Sequence, residues 1–281
     1  MNKPLILITG ATGKTGAAIA GRLRSSGARL RLASRSGTAP AGTQSVQFDW
    51  SDPKTFEEAL VDVERIYILA PVGHNSPIDL VAPFIDKALA MDAKRFVLLS
   101  STQLQEGGPA MGQIHAYLRK VAPEWAVLRP SWFMQNFINE PHLSSINNEN
   151  AIYSATGDGR VPFVSVDDIA GVGAHILLQA DAPEHDLPIT GPELLSYDDV
   201  ASQISRAAGR IVRHVRLTVE ELAERHQRFG LPADYAQTLA GLDAIIAARR
   251  EEKLSGVVEA NTGRPGVSFA SFAEEHAAIW R

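Results

Sequence analysis

At 281 residues, 45% of them apolar and 21% charged, the chain has the make-up of a globular protein long enough to bury a sizeable core. A net charge of −5 argues against a hold on nucleic acid phosphates or on an anionic membrane face. There is no cysteine, which excludes disulfide frameworks, thiolate zinc sites and thiol nucleophiles.

The first apolar run, residues 4–8, is too short for a secretory signal or a spanning helix, so a cytoplasmic address is expected. Residues 5–8 are continuously branched and apolar, the mark of a strand covered on both faces. A glycine turn follows, then a helical stripe from Ala17 to Leu23 that stops near Gly27. Residues 30–33 and 46–48 read as second and third strands, with Asp52 and Pro53 starting a short helix through Phe56 and Leu60. Residues 66–69 form strand four, 78–91 a helix, 96–99 strand five, 111–121 a helix and 126–128 strand six. Strands alternating with crossovers long enough for helices predict an α/β fold, a doubly wound parallel sheet of Rossmann type.

Beyond residue 150 the rhythm breaks. A strand is expected at 161–166, a helix at 167–179 with Asp167 and Asp168 as its N-cap, and strand-like pieces at 187–190 and 211–217. Helices are expected at 197–208, 219–229, 233–248 and 270–280. The division expected is a sheet domain over 1–150, to which the chain returns at about 161–190, and a smaller, mostly helical, substrate-capping part over 151–281.

The most informative stretch is Thr9-Gly10-Ala-Thr12-Gly13-Lys14-Thr15-Gly16, where strand one hands over to helix one. Glycines three apart allow a tight turn, close approach of a pyrophosphate, and close packing of helix on strand. Phosphate oxygens would then sit on free N–H groups at the helix N-terminus. Gly13-Lys14-Thr15 also suggests a triphosphate loop, but that motif needs a glycine where Ile8 stands. At the end of strand two, Ser34-Arg35-Ser36 holds no carboxylate to take a ribose 2′-hydroxyl; the Arg35 fork suits a 2′-phosphate. NADP(H) is therefore expected in preference to NAD(H).

With the glycine loop, Asp49 in Phe48-Asp-Trp50, the run Leu128-Arg-Pro-Ser-Trp-Phe-Met-Gln-Asn136 and the run Pro162-Phe-Val-Ser-Val-Asp-Asp-Ile169, the chain resembles the NmrA-like branch of the atypical short-chain dehydrogenase/reductases. The stretches 112–117 and 129–137 look most like the festuclavine-synthase or ergot-alkaloid-type reductases, with quinone, azo-dye and triphenylmethane reductases as near competitors. The resemblance implies that Gly10, Thr12, Gly13, Lys14 and Thr15 hold the pyrophosphate, Arg35 the 2′-phosphate, and that Asp49 flanks the adenine. It also implies that Ala70, Pro71 and Val72 lie beside the nicotinamide ribose and that Pro130 and Phe133 contact the nicotinamide.

Short-chain dehydrogenases use a Tyr with a Lys four residues later; the nearest match here is Tyr117 and Lys120, three apart, read as a packing residue and a helix-end cation. Reduction of a ketone develops an alkoxide and gains from a placed acid, whereas an iminium carbon already carries positive charge and a quinone gives a stable anion. A reductase for small, flat, electron-poor acceptors is therefore the leading expectation, with a non-catalytic NADP(H)-binding redox sensor as its rival. His74, Trp132 and Asn136 are candidate substrate contacts. The eight histidines show no ligand spacing, and no metal is expected. Nucleic acid and membrane partners are not expected, and a homodimer is left open.

Overall fold

The computed structural model describes residues 3–38, 43–71, 73–74 and 76–281. In chain order the first elements are β1 (Leu5–Ile8), α1 (Lys14–Ser25), β2 (Arg29–Ser34), β3 (Gln44–Gln47), α2 (Phe56–Leu60), β4 (Val63–Ile68), α3 (Ile78–Ala90), β5 (Arg95–Leu99), α4 (Met111–Val121) and β6 (Glu124–Pro130). Then follow α5 (Leu143–Glu149), β7 (Ala151–Ser154), α6 (Val166–Leu178), β8 (Asp186–Ile189), α7 (Tyr197–Ala208), β9 (Arg213–Arg216), α8 (Val219–Arg228), α9 (Ala233–Ala247), α10 (Val257–Thr262) and α11 (Phe269–Glu275).

Seven strands form one parallel sheet in the order β3-β2-β1-β4-β5-β6-β8. Burial explains the composition of its centre, since every residue of β1, the run Ile66–Ile68 of β4 and all of β5 but Leu99 are buried. The order reverses between β1 and β4, so the loops leaving their carboxyl ends diverge and open a crevice there. The Arg95 side chain, fully buried on β5, pairs with Glu124 and donates to the carbonyls of Ile176, Gln179 and Ala180 at 2.7–2.9 Å. Arg65 donates to Leu177 and Gln179, so two guanidiniums from neighbouring strands close the C-terminus of α6.

The chain divides into two compact units, each assembled from three pieces. One comprises the chain up to Pro130 with Val166–Ile189 and Val257–Arg264; the other comprises Ser131–Ser165, Thr190–Gly256 and Pro265–Arg281. The first crossing thus falls at Pro130 and not at 150, because Met134, Phe137, Ile146 and Ile152 join the second unit's apolar core. At the centre of that core Phe137 meets Phe163, Tyr197 and Phe269 edge-on, with ring centres 5.3–5.9 Å apart. Trp280 is buried against it and donates its indole N–H to the Phe137 carbonyl at 2.8 Å. Reciprocal capping boxes, Ser196 with Asp199 and Thr218 with Glu221, start α7 and α8.

Several expectations are corrected. Residues 161–166 form no strand: Val161 bridges Leu195 and Val164 bridges Phe133, after which α6 begins at Val166. Asp167 and Asp168 accordingly sit in the first turn of α6 and not at its cap, ion-paired with Arg22 at 2.5 Å and Arg264 at 2.9 Å. The helix expected at 270–280 breaks at His276 into α11 and a closing 3₁₀ turn. The elements α5, β7 and α10 had no distinct signal; Asn150 in the left-handed region ends α5 and turns the chain into β7, which pairs with β9.

Candidate active site

The loop after β1 is built from backbone. Gly10 has φ +61°, and a Cβ there would overlap the Leu69 side chain that follows β4. A Cβ on Gly16 would overlap the Gly10 carbonyl oxygen and lie 2.9 Å from its carbon. Gly13 donates to the Gly10 carbonyl at 2.9 Å, which closes the turn and makes Gly13 the N-cap of α1. No side chain caps that helix and its first turn holds no acid, so the amides of Lys14, Thr15 and Gly16 have no intrahelical partner. Such a cradle accepts an anion: the amides converge, the dipole favours negative charge, and any side chain at Gly10 or Gly16 would obstruct it. These residues fit a pyrophosphate.

Side chains fix the loop from behind. Thr9 accepts from the Leu69 amide at 2.8 Å and donates to the Tyr67 carbonyl at 3.0 Å, locking β1 to β4. The Trp50 indole N–H donates to the Leu69 carbonyl at 3.2 Å and holds the other wall. The Thr15 hydroxyl is buried and accepts from the Tyr67 hydroxyl at 2.9 Å. Of Thr15, then, the backbone amide and not the side chain faces the helix start. Burial pushes the Tyr67 phenol well above its ordinary value, so it stays protonated and keeps donating. Thr12 and Lys14 are exposed on the loop.

Arg35 follows β2 in a tight turn, where the Ser34 carbonyl accepts from Gly37 at 3.1 Å and from Phe48 at 2.9 Å. The guanidinium is exposed and pairs with no carboxylate among the described residues, while the hydroxyls of Ser34, Ser36 and Thr38 form a chain beside it. Asp49 is half-buried, and one carboxylate oxygen accepts from the Ser51 amide at 2.8 Å. Ala70 is buried and Pro71 half-buried at the carboxyl end of β4; Val72 lies outside the described residues. The structure therefore gathers the glycine loop, Arg35 and Ala70-Pro71 at the carboxyl ends of adjacent strands β2, β1 and β4, with Asp49 beyond β3. His74 is exposed after β4.

Pro130 closes β6 in the first unit; Trp132, Phe133 and Asn136 begin the second. Phe137 is core while Phe133, four residues earlier, is only half-buried and bridges Val164. The Asn136 side-chain amide, half-buried, has no partner among the described residues. The buried Ser131 hydroxyl and the Trp132 indole N–H also lack partners, as does the buried Gln103 amide nitrogen in the loop after β5. Buried donors left unpaired cost free energy unless something accepts from them. Gln103 and Ser131 had no sequence signal of their own: one is an isolated amide in a loop, the other a serine inside a run chosen for its aromatics.

Tyr117 is half-buried on α4. Its hydroxyl donates to Asp86 on α3, which raises the phenol's pKa, and Lys120 is exposed at the end of α4.

A parallel sheet with a reversal beside a glycine-built anion cradle defines a doubly wound α/β protein of nucleotide-binding type. The NmrA-like family model matches residues 2–263, and the chain belongs to that family. It is 43% identical over 281 residues to the uncharacterised oxidoreductase YesF of Bacillus subtilis, covering 100% of this chain and 98% of that one. It is 42% identical over 283 residues to an agroclavine dehydrogenase of Claviceps fusiformis, covering 98% of each. Among solved structures, the NADPH-dependent quinone oxidoreductase QOR2 of Escherichia coli, complexed with NADPH, superposes with a TM-score of 0.83 at 20% identity over 96% of this chain and 99% of that one. The chain is an oxidoreductase of the family.

Proposed function

We propose that the protein is an NADPH-dependent reductase that delivers hydride to a small, flat, electron-poor organic acceptor, quinone-like or iminium-like, without a Tyr–Lys dyad. The carrying observation is the glycine loop at the sheet reversal, whose free amides at the start of α1 suit a dinucleotide's pyrophosphate. Full-length relatives that bear oxidoreductase and dehydrogenase names support the reading.

When bound, the dinucleotide supplies the hydride. The residues of this chain then have separate tasks. The amides of Lys14, Thr15 and Gly16 neutralise phosphate charge; Arg35 presents a fork to a 2′-phosphate; Asp49 accepts from an adenine amino group; Ala70 and Pro71 pack on the nicotinamide ribose. In this reading Pro130 and Phe133 flank the nicotinamide, and His74, Trp132 and Asn136 contact the acceptor.

The five tyrosines favour acceptors that need no placed acid. None has a lysine four residues later. Tyr67 donates to Thr15, Tyr117 to Asp86 and Tyr153 to Glu149; Tyr197 lies in an aromatic core, and Tyr235 is exposed on α9. Adding hydride to an iminium carbon cancels a charge, and to a quinone gives a stabilised anion, so neither step demands a phenol proton.

The test is NADPH oxidation followed at 340 nm with a naphthoquinone, a cyclic iminium and a simple ketone. Turnover with either of the first two at least tenfold faster than with the ketone is expected. Tight NADP(H) binding with no turnover on the panel would overturn the reading in favour of a redox sensor. Arg35→Asp should lower the NADPH-over-NADH preference at least tenfold in kcat/KM; an unchanged ratio would remove Arg35 from the site.

A further inference from the structure

The second unit holds a cavity of about 390 Å³ that the reductase reading does not use. It lies within the roughly 300–1,000 Å³ typical of small-molecule pockets. Arg225 of α8 lines it, its guanidinium lying over the Tyr153 ring at 3.6 Å from the centroid and 5.1 Å from that of Phe229. One of its nitrogens donates to Glu149, whose other oxygen accepts from the Tyr153 hydroxyl at 2.9 Å. The remaining guanidinium N–H groups have no partner among the described residues.

His142 and His226 line the same cavity, and neither ring makes a hydrogen bond among the described residues. His142 is stacked on Phe137, rings 4.9 Å apart and nearly parallel. Burial holds both imidazoles below their ordinary value, His142 down to about 3, so each is neutral near pH 7 with one N–H to offer. Glu140 also lines the cavity, but its carboxylate is engaged by the Ser144 hydroxyl. Phe229, 69% exposed, and Leu231 provide an apolar lip.

Arg225, His142 and His226 all offer free N–H groups to this cavity, and the strongest of these donors is the guanidinium that lies over the Tyr153 ring and near Phe229. A ligand with a flat apolar body and an anionic, planar acceptor head answers both features. We propose that this cavity binds a small aromatic carboxylate, its ring on the apolar lip at Phe229 and its carboxylate on the free N–H groups of Arg225. Glu149 behind the guanidinium fixes its orientation without using up its fork. The site stands apart from the dinucleotide reading and neither requires nor supplies a hydride.

The experiment is calorimetric titration of the full chain with 1-naphthoate and with 1-naphthalenemethanol, its uncharged analogue. The acid should bind at least tenfold tighter than the alcohol. Arg225→Gln should abolish that difference while leaving NADPH affinity unchanged, and Phe229→Ala, at an exposed side chain, should weaken both ligands by a similar factor. In the unsubstituted chain, 1-naphthoate should shift backbone amide resonances over residues 142–153 and 222–231, a readout that survives even if a variant fails to fold. Equal affinity for acid and alcohol, no heat at millimolar acid, or shifts confined to other segments would each overturn the assignment.

Discussion

The loop after β1 and the stretch after β6 both leave the carboxyl end of a parallel strand, and they are built on opposite principles. The first presents amides: its key positions carry no side chain, and its threonine hydroxyls at Thr9 and Thr15 are turned back into the sheet. The second presents side chains: Ser131, Trp132 and Asn136 offer polar groups without partners, on a backbone pinned by Trp132 and Val164 at 2.9 Å. A backbone-built site is intolerant of substitution at a few positions: a Cβ on Gly16 meets the Gly10 main chain, and one on Gly10 meets the Leu69 side chain at a left-handed φ. A side-chain-built site can change residue by residue and keep its frame, which is how one fold serves many acceptors.

The sharpest way to break this contrast is Gly16→Ala. The added methyl meets the Gly10 carbonyl group, so NADPH affinity measured by calorimetry should fall at least a hundredfold. An affinity within threefold of the parent would mean that the loop is not the cradle described. Next in size is Asp243→Asn on α9. That carboxyl is buried, accepts from the Ala155 amide at 2.8 Å, and is pushed up to about 6 by burial. The folded chain thus holds this proton more tightly than the unfolded chain, whose Asp titrates near 3.9, so the wild-type contribution is most favourable below about pH 4 and is lost as pH rises through 6. Asn keeps the acceptor without the charge, and should raise stability by about 2 kcal/mol above pH 6, with the gain vanishing below pH 4 in urea titrations.

Trp132→Phe keeps a ring and removes the unpaired indole N–H. If that group grips the acceptor, KM should rise three- to tenfold with NADPH affinity unchanged, the size of one lost hydrogen bond. The smallest effect belongs to Tyr117→Phe: the hydroxyl lies against Asp86, so kcat should stay within twofold. A hundredfold loss would return Tyr117 to the chemistry.

What the sequence disclosed follows the same division. Buried strands such as Leu5–Ile8 and glycines forced by main-chain contact leave a pattern in the letters, because no other residue type satisfies the constraint. Which of Phe133 and Phe137 is core was not legible, because residues four apart share a helix face; the structure buries Phe137 and leaves Phe133 half-buried. The strand expected at 161–166 was misread because its apolar residues are buried by two isolated bridges and a core cluster, and burial without pairing has the same composition as a strand. The element β7 was illegible for the opposite reason: four residues paired only to β9, 62 positions away, carry too short a period to register. The unpaired donors at Gln103 and Ser131 had no signal at all, since an unmet hydrogen bond is a property of surroundings and not of residue type.

The three-piece construction of each unit bears on how the protein is made. The sheet unit needs α10, which packs with α6 and β8 and is translated only after residue 256. The other unit buries Trp280, from the third of its pieces, against the aromatic core. Neither body can be completed while most of the chain is still on the ribosome, and no single cut liberates either one whole. Engineers wishing to exchange the second unit between relatives would therefore have to transplant three separate stretches together, and a graft of one alone should leave an open core and an insoluble product.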